Sequence, residues 1–399
     1  MNENYKNLFN CVNKNIEILK KKCSSYSDKI ISSKIKNLED FRKLPFMTRD
    51  DLEKIDINDT LNIVRIHSTS GTTGNPIIIP YTERDIKNWC SMMARCYEYA
   101  GVSLDDVVQI SVGYGLWTAG IGFQLGCEKI GATAVPVGCN STEKQFAFLK
   151  KMKSSVICAT ASFALYLSEN AEKKDIFLKK GIFGSEVWTN KTRNKIKEKL
   201  GIEVYDIYGL TEVYGPGIAI NCNKSEYMHY WNDYLYFEII DPETGMNVSD
   251  GDYGELVITT LKKEGLPLIR YRTHDITRII PKKCDCGSKF PQIDSIIGRT
   301  DDMIKYHGVK IFPSQISKIL DNIEDLTTEY FIKLENVSNR DIMTIVCETV
   351  NQYMDNNKIS DKLKKIIKDN IGINVRIEIK ENGELERNFG KTKRVYDLR

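Results

Sequence analysis

The chemistry-bearing part of the sequence begins at residues 68–74, which read STSGTTG. Glycine permits the positive φ angles and the close backbone approach that a phosphate group needs, and hydroxyl side chains add hydrogen-bond donors. The Gly-Lys-Ser/Thr ending of a Walker loop does not follow, which argues against a kinase or motor of that class. We interpret the segment as a phosphate-binding loop, with a Ser/Thr-rich surface loop as the alternative. Its residues are Ser68, Thr69, Ser70, Gly71, Thr72, Thr73 and Gly74.

Two carboxylates further along the chain suit the remaining parts of a nucleotide. Glu212 follows a glycine turn in DIYGLTE at 206–212, and Mg²⁺ prefers one or two carboxylates together with phosphate oxygens. Asp275 ends RYRTHD at 270–275, where a carboxylate beside guanidinium groups can accept hydrogen bonds from both hydroxyls of a ribose. A solvated glutamate and a surface ion pair are the alternatives for the two positions.

Four residues have the chemistry of a structural zinc site. Cys284 and Cys286 form a Cys-x-Cys-Gly turn that can present two thiolates to one ion, and Cys222 and His229 could add a sulfur and a nitrogen. A closed tetrahedral Cys₃His set of this kind is structural rather than catalytic. The two halves are far apart in sequence, so a β subdomain must bring them together.

These candidate residues need a scaffold larger than one compact core. At 399 residues the chain exceeds the roughly 250–300 residues at which single cores usually divide. Short β-branched runs alternate with helical stretches from about residue 107 to 169, which predicts parallel βαβ units. Strands broken by turns follow from residue 234 and predict an antiparallel β subdomain. The sequence therefore predicts an α/β fold with a large N-terminal domain at 1–300 and a small α+β C-terminal domain at 301–399.

Composition excludes several classes of protein. The 57 basic and 54 acidic residues give a net charge of +3, too small for the basic footprint of a nucleic-acid binder. No apolar stretch approaches the ~18–20 residues that cross a bilayer, and the polar amino terminus lacks the core of a secretory signal. Eleven scattered cysteines fit reduced thiols. We expect a cytoplasmic protein without nucleic-acid or membrane partners.

Several spaced segments together resemble one family. They are STSGTTGNP at 68–76, GIFGSEVWT at 181–189, YGLTEVYGPG at 208–217, GELVITTLKKEGLPLIRYRTHD at 254–275, GRTDDMIKYHGVKIFPSQI at 298–316 and FGKTKRV at 389–395. In this order and spacing they are similar to the adenylate-forming (AMP-binding) acyl-CoA ligase superfamily. The segment GYGLWTAGIGF at 113–123 resembles sequences of its phenylacetate-CoA ligase branch. The resemblance covers nearly the whole chain.

The resemblance implies a two-step reaction with ATP, Mg²⁺ and coenzyme A. A carboxylic acid forms an acyl-adenylate and pyrophosphate, and a thiol then displaces AMP. Residues 68–74 match the loop that holds the β- and γ-phosphates, Glu212 matches the magnesium carboxylate, and Lys391 matches the lysine that bridges the acid and the α-phosphate. The other positions that match ATP or AMP contacts are Ser185, Glu186, Asp206, Tyr208, Gly209, Thr211, Asp275 and Arg299.

The resemblance also implies that the small domain is a mobile lid. Asp301 matches its hinge, and Gly308 matches the loop presented to the thiol channel. The acid pocket should be lined by Tyr114, Trp117, Ala119, Gly184, Tyr214, Gly215 and Pro216. Aromatic walls with small residues between them suit a flat aromatic or arylalkyl acid, although Trp117 could equally be core packing. Relatives of this branch are often dimers, so a homodimer is a further expectation.

The chain departs from the family pattern at Asn75, where the phosphate loop usually carries lysine. One positive charge on the outgoing pyrophosphate is therefore missing. Two alternatives to the acid–CoA ligase stay open. The chain could pass the acyl group to a carrier protein or an amine after adenylation, or it could be a catalytically impaired nucleotide-binding sensor. Retention of Glu212, Asp275 and Lys391 argues against the sensor.

Overall fold

The structure is a computed structural model that describes residues 3–30, 34–55, 62–69, 76–170, 176–337, 340–351, 355–385 and 394–399. These residues divide into two compact units. The first unit holds Met1–Ala159, Ala171–Ser185 and Leu200–Ser295, and the second holds Thr160–Asn170, Glu186–Lys199 and Ile296–Arg399. The second unit thus includes two segments from the first 300 residues, and the predicted domain boundary at residue 300 stays a prediction.

The first unit begins with helices whose apolar faces are buried. Leu8, Val12, Ile16 and Leu19 lie three or four residues apart, and each is at most 2% exposed, as the helical period requires. The helices are α1 (Glu3–Lys22), α2 (Ser24–Ser27), α3 (Leu38–Arg42) and α4 (Arg49–Glu53).

A large mixed sheet follows. The next elements are β1 (Ile63–Ser68), β2 (Ile78–Thr82), α5 (Glu83–Tyr99), β3 (Val107–Ile110), α6 (Ala119–Lys129), β4 (Thr133–Val135), α7 (Thr142–Met152), β5 (Val156–Thr160), α8 (Ala161–Asn170), β6 (Lys180–Gly184), α9 (Asn190–Leu200), β7 (Glu203–Leu210), β8 (Gly215–Cys222) and β9 (Ser225–Tyr230). Strand β3 is parallel to both β4 and β5, and β6 is parallel to β7. The predicted βαβ alternation and the α/β class are confirmed.

Beyond β7 the large sheet continues with antiparallel strands, and a second sheet follows in the chain. The remaining strands of this unit are β10 (Leu235–Ile240), β11 (Gly254–Thr260), β12 (Tyr271–Thr277), β13 (Ile279–Ile280) and β14 (Gln292–Ile293). In the described residues the sheet has the order β13-β14-β9-β8-β7-β6-β5-β3-β4, with β1 and β2 paired separately. Strands β10, β11 and β12 pair antiparallel in a second sheet. That sheet begins where the sequence predicts an antiparallel β subdomain.

Helix α5 carries several of the side chains that shape the site. It begins with a capping box, in which the Thr82 hydroxyl accepts from the Asp85 backbone N–H and the Asp85 carboxylate accepts from the Thr82 backbone N–H. Its inward face buries Trp89, Met92 and Tyr97 completely. Those large side chains anchor the helix against β8 and α6.

The C-terminal part of the second unit has its own core. Its elements are β15 (Gly298–Arg299), β16 (Ile304–Tyr306), β17 (Val309–Ile311), α10 (Pro313–Asp321), β18 (Leu326–Val337), β19 (Arg340–Thr349), α11 (Asn356–Ile371), β20 (Arg376–Lys380) and β21 (Val395–Asp397). Its larger sheet has the order β20-β19-β18-β21 in the described residues. Ile316, Ile332, Leu363 and Ile367 are completely buried in its core. Pro313 starts α10, where a missing N–H costs nothing.

Within the part of the chain that the structure describes, no helix combines the length and the apolar character needed to cross a bilayer.

Candidate active site

The β7–β8 turn, residues 211–214, is fixed by side chains from other elements. The hydroxyl of Tyr81, on β2, lies 3.1 Å from the carbonyl oxygens of both Thr211 and Tyr214. The hydroxyls of Thr211 and Thr118 are 3.2 Å apart. Breaking buried hydrogen bonds leaves costly unpaired groups, so this turn is a rigid base for the residues on it.

Glu212 lies on this turn with its side chain half-buried. The hydroxyl of Tyr271, on β12, donates to Glu212 Oε1 at 3.4 Å. A carboxylate at the carboxyl end of a sheet strand is well placed to hold Mg²⁺, which takes oxygen ligands and keeps waters and phosphate oxygens around it. The assignment of Glu212 to magnesium stays a prediction.

Lys263 is a buried residue at the same turn that the sequence analysis did not single out. Its side chain is 1% exposed. The ammonium Nζ donates to the carbonyl oxygens of Glu212, at 2.8 Å, and Val213, at 2.5 Å. Burial lowers the pKa of Lys263 to about 7, a shift that the carboxylates of Asp85 and Glu212 partly oppose. Its one sequence signal is membership of the motif at 254–275 that also holds Asp275.

Tyr208 on β7 and Asp275 on β12 contact each other directly. The Tyr208 hydroxyl donates to Asp275 Oδ2 at 2.5 Å, and both residues are buried. Two residues before Tyr208 on β7, the backbone N–H of Asp206 donates to Asn221 Oδ1, on β8, at 2.7 Å. Two of the predicted nucleotide contacts, on β7 and β12, are thus directly linked by a charge-assisted hydrogen bond.

A narrow cavity is lined in part by Ile207 and Gly209, the neighbours of Tyr208 in β7. It brings together residues predicted for the acid pocket and residues predicted for the nucleotide. The predicted residues among those lining it are Trp117, Ala119, Gly184, Ser185, Gly209, Thr211, Gly215 and Pro216. Thr118, Phe123, Ala159 and Ile207 complete the lining.

Glycines make room for this cavity. A Cβ at Gly209 would lie 2.1 Å from the carbonyl oxygen of Gly215, a separation that two backbones cannot sustain. Gly215 itself has φ +110°, and a Cβ there would lie 2.6 Å from the Trp89 ring. The Trp89 indole N–H donates to the Pro216 carbonyl at 2.9 Å, which fixes the same stretch of β8.

Two predicted pocket residues lie elsewhere. The Tyr114 ring packs over Gly120, where a Cβ would lie 2.7 Å from it, and the side chain is 37% exposed. Tyr214 is completely buried behind the turn. Neither residue is among those that line the cavity.

The predicted phosphate loop is described only at its base. The backbone N–H of Ser68 donates to the Leu116 carbonyl at 3.0 Å. Thr69 exchanges hydrogen bonds with Ile77, from its N–H to the Ile77 carbonyl at 3.1 Å and from the Ile77 N–H to Thr69 Oγ1 at 3.0 Å. Residues 69 and 77 are thereby pinned together. The predicted residues Ser70, Gly71, Thr72, Thr73 and Gly74 lie outside the described residues, as does Asn75.

His67 precedes this loop and is buried between aromatic rings. Its Nδ1 lies 3.0 Å from the Leu116 carbonyl oxygen, and it contacts Tyr81 and Trp89 edge to face, at 5.4 and 5.8 Å between ring centroids. Its Nε2 is buried without a hydrogen-bond partner among the described residues. Burial lowers the pKa of His67, so the ring is neutral at pH 7.

The remaining described candidates belong to the second unit. Glu186 Oε1 accepts from the hydroxyl of Ser162 at 2.6 Å, and burial raises the pKa of Glu186. Arg299 pairs with Asp301 through two hydrogen bonds of 2.8 Å, so the predicted ribose or phosphate contact and the predicted hinge residue bind each other in this conformation. Gly308 forms the β16–β17 turn with φ +81°. The predicted catalytic Lys391 lies outside the described residues.

The four predicted zinc ligands converge. Cys222 Sγ and Cys284 Sγ are 3.6 Å apart, and Cys286 Sγ is 3.5 Å from His229 Nε2. All four potential ligand atoms lie within 4.8 Å of one another. The other ring nitrogen of His229, Nδ1, is 3.0 Å from the Phe290 carbonyl oxygen, which leaves Nε2 to face the sulfurs.

Comparisons with known proteins agree along nearly the whole chain. The family described as AMP-binding enzyme matches residues 8–261, and the AMP-binding enzyme C-terminal domain matches residues 308–399. A phenylacetate-coenzyme A ligase of Pseudomonas putida is 39% identical over 380 residues, which are 91% of this chain and 85% of that protein. The Escherichia coli phenylacetate-coenzyme A ligase is 37% identical over 381 residues, again 91% of this chain and 86% of that one.

Among solved structures, a 2-hydroxyisobutyryl-CoA ligase in a postadenylation state, in complex with R3-HIB-AMP, superposes with a TM-score of 0.87. The match covers 98% of this chain and 89% of that chain at 23% sequence identity. At that identity the likeness establishes the shared fold.

Proposed function

This chain belongs to the AMP-binding enzyme family, and from that premise we propose that it is an AMP-forming acid–CoA ligase. The enzyme activates a carboxylic acid with ATP and transfers the acyl group to coenzyme A. The observation that carries this function is the 37–39% identity with phenylacetate-coenzyme A ligases over 91% of the chain. We assign the reaction to the cavity that Ile207 and Gly209, the neighbours of Tyr208 in the chain, help to line.

The reaction balances in two steps. A carboxylate oxygen of the acid attacks the α-phosphorus of ATP, and the bond to pyrophosphate breaks to leave an acyl-adenylate. The sulfur of coenzyme A then attacks the acyl carbon, the bond to AMP breaks, and the thiol proton is lost. Both steps depend on positioning and charge neutralisation more than on covalent participation by the protein.

The residues of the site divide this work. The Asp275 carboxylate accepts hydrogen bonds from the ribose hydroxyls. Tyr208 orients that carboxylate by donating a 2.5 Å hydrogen bond to it. Ser185, Asp206 and Gly209 border the adenine, with Glu186 beside Ser185 in the chain, and residues 68–74 hold the β- and γ-phosphates. Lys391 bridges the acid and the α-phosphate in the first step.

Magnesium fits the donor set at the β7–β8 turn. Glu212 offers one half-buried carboxylate on a fixed backbone, and phosphates and water supply the other oxygens that Mg²⁺ prefers. Bound there, the ion would neutralise charge on the phosphates. Asn75 supplies no charge at the loop position where the family usually has lysine, so more of that neutralisation would depend on a magnesium ion held by Glu212.

The acid that fits best is aromatic or arylalkyl. Trp117 lines the cavity together with the small residues Ala119 and Gly184 and with Pro216. Ring against ring is the contact that such a geometry favours. The named activity of the curated relatives is consistent with this class of acid.

A structural zinc ion belongs to the proposal. A tetrahedron with Zn–S bonds of about 2.3 Å has edges of about 3.8 Å, close to the 3.6 Å between Cys222 and Cys284 and the 3.5 Å between Cys286 and His229. A backbone carbonyl on the second ring nitrogen is the usual arrangement of a metal-bound histidine. Zinc here would tie the β8–β9 hairpin to the segment between β13 and β14.

Metal analysis tests the zinc site. We expect close to one zinc per chain after gentle purification, and a loss of that zinc in Cys284→Ser but not in Cys139→Ser, an exposed cysteine outside the cluster. Zinc well below one per chain in the wild type, or a Cys222–Cys284 disulfide found by mass spectrometry, would contradict the proposed zinc site.

The second half-reaction assigns Asp301 to the hinge and Gly308 to the thiol channel, in a C-terminal unit that rotates between steps. A carrier protein or an amine is the alternative acceptor. A homodimer and a cytoplasmic location complete the proposal on the family resemblance alone, and sedimentation and fractionation test them.

The experiment that tests the function is product analysis. Purified protein, ATP, Mg²⁺ and coenzyme A are incubated with phenylacetate, benzoates and fatty acids, and AMP and acyl-CoA are quantified. We expect equal amounts of AMP and an aryl or arylalkyl CoA thioester. Turnover of fatty acids alone would refute the acid class, and AMP release without thioester would favour another acceptor.

A further inference from the structure

Lys263 is a buried lysine that the reaction scheme above does not use. Its Nζ reaches the backbone carbonyl oxygens of Glu212 and Val213, and its ammonium lies 4.8 and 5.1 Å from the ring centroids of Tyr81 and Tyr214. Burying an ammonium is costly unless carbonyl or carboxylate oxygens satisfy it. Lys263, whose burial carries this cost, contacts the turn on which Glu212 lies.

The loop around Lys263 is itself fixed from α5. Asp85, which is completely buried, accepts the backbone N–H of Glu264 at 2.8 Å and of Gly265 at 2.7 Å. Gly265 packs so closely that a Cβ would lie 2.3 Å from the Pro80 carbonyl oxygen. Lys263 is therefore presented from a backbone that has no room to shift.

Independent contacts converge on the same turn. Tyr81 lies on β2, just after the predicted phosphate loop, and its hydroxyl contacts the carbonyl oxygens of Thr211 and Tyr214. Lys263 contacts the two carbonyl oxygens between them. Consecutive carbonyl groups of residues 211–214 are thus all held by buried donors, a degree of fixation that a simple chain reversal does not need.

We propose that Lys263 is a positioning residue that fixes the backbone of Glu212 so that its carboxylate meets the nucleotide-bound magnesium ion. This inference rests on the proposed function. Residues that orient a metal ligand without touching the metal commonly change metal affinity about 10–100-fold when they are replaced. A lysine that served folding alone would change stability and leave the Mg²⁺ dependence of nucleotide binding intact.

The test compares Lys263→Met with Lys262→Met. Lys262 is the neighbouring lysine, is partly exposed and lies 4.1 Å from the Tyr234 ring centroid, so its replacement controls for the loss of a charge in this loop. Calorimetry measures the affinity of each protein for α,β-methylene-ATP with and without Mg²⁺. Mg²⁺ titration of acid-dependent pyrophosphate exchange gives a second, kinetic measure, and circular dichroism checks the fold.

We expect Mg²⁺ to tighten binding by the wild type and by Lys262→Met, and expect Lys263→Met to lose about tenfold of that gain. In the exchange assay Lys263→Met should need about tenfold more Mg²⁺, while its KM for the acid changes little. An unchanged Mg²⁺ gain in folded Lys263→Met would overturn the positioning role, as would a wild type whose affinity does not respond to Mg²⁺.

Lys263→Gln keeps the test decisive if the methionine variant is unfolded, because a neutral amide can still donate to one carbonyl group. A folded Lys263→Gln that loses the Mg²⁺ gain supports the role, and failure of both variants to fold would assign the lysine to folding alone. Wild-type protein that binds the analogue in an Mg²⁺-dependent way yet shows no acid-dependent exchange would overturn the proposed function and leave the positioning role standing.

Discussion

At the scale of single residues, the account depends most on Asp275 and its hydrogen bond from Tyr208. Replacing Asp275 by Asn removes the negative charge that would accept hydrogen bonds from both ribose hydroxyls. Hydrogen bonds to charged groups contribute about 1.5–3 kcal/mol, so we expect KM for ATP to rise about 10–100-fold with a smaller change in KM for the acid. Steady-state kinetics with ATP and acid varied separately measure this.

A matched pair elsewhere controls for that experiment. Tyr253 donates to Asp294 Oδ2 at 2.7 Å on a more exposed surface, away from the cavity. Asp294→Asn should leave KM for ATP within about twofold of wild type, because its ion pair with Arg278 is partly solvated. Equal effects of the two substitutions would contradict the ribose assignment.

His67 makes a separate prediction about pH. Burial lowers the pKa of His67 in the folded protein below the ordinary value of 6.5, so the folded state resists protonation and the unfolded state accepts it. The stability that this neutral ring contributes is present above about pH 6.5 and is lost as pH falls through the folded pKa. Urea unfolding at pH 8 and pH 5.5 should give a smaller fall in the free energy of unfolding for His67→Gln than for wild type. Equal falls in the free energy of unfolding for His67→Gln and wild type would contradict this prediction.

At the scale of elements, the strongest constraint is the meeting of β7 and β8. A methyl group at Gly209 would collide with the Gly215 carbonyl at 2.1 Å, and backbone atoms cannot rotate away. Overpacking of this kind costs about 1–3 kcal/mol. We expect Gly209→Ala to lower the free energy of unfolding by that amount and to remove most adenylation activity.

Gly201 is the control for that substitution. It has φ +69°, and a Cβ there would meet nothing within 4 Å. Asparagine tolerates a left-handed conformation, so Gly201→Asn should unfold at nearly the wild-type urea concentration with normal activity. A Gly209→Ala protein that is as stable and active as Gly201→Asn would show that the close approach of the strands is not required.

The elements themselves were largely predictable from periodicity. The alternation of strands and helices predicted over residues 107–169 is β3, α6, β4, α7, β5 and α8, and the strands predicted from residue 234 begin with β10, β11 and β12. Both have an apolar pattern that a local window detects. Helix α5 was not assigned, although the sequence TERD at 82–85 forms its capping box, and with it the sequence analysis missed Asp85 and Trp89.

Lys263 could not be found in this way. Lys262 and Lys263 are adjacent and chemically identical, yet the side chain of one is 38% exposed and that of the other is buried. The difference arises because Asp85, 178 positions earlier in the chain, accepts the N–H groups of the two residues that follow Lys263. Burial set by such distant contacts leaves no local pattern. The zinc ligands were predictable from residue type, whereas their approach to one another required the pairing of β9 with β14.

At the scale of the whole molecule, we assign the two half-reactions to different arrangements of the C-terminal unit. Lys391→Ala should lose adenylate formation by at least about 100-fold, because charge neutralisation at the α-phosphate is lost. It should retain most thioester formation from a supplied acyl-adenylate. The two rates are measured separately by pyrophosphate exchange and by acyl-CoA release.

Lys393 lies two residues away and serves as the control. Lys393→Ala should leave both half-reactions within about twofold of wild type, because Lys391 and not Lys393 matches the lysine of the family motif. Equal loss of both half-reactions in Lys391→Ala would contradict the assignment of this lysine to the first step alone.

Acyl-adenylate formation by this chain is measured by acid-dependent exchange of labelled pyrophosphate into ATP. A panel of aromatic, arylalkyl and aliphatic acids with amino acids covers the alternatives, and no acceptor is needed. The account predicts strong exchange with aromatic or arylalkyl acids and little with the others. No exchange with any acid of the panel, in protein that binds ATP, would contradict adenylate formation and favour a nucleotide-binding sensor.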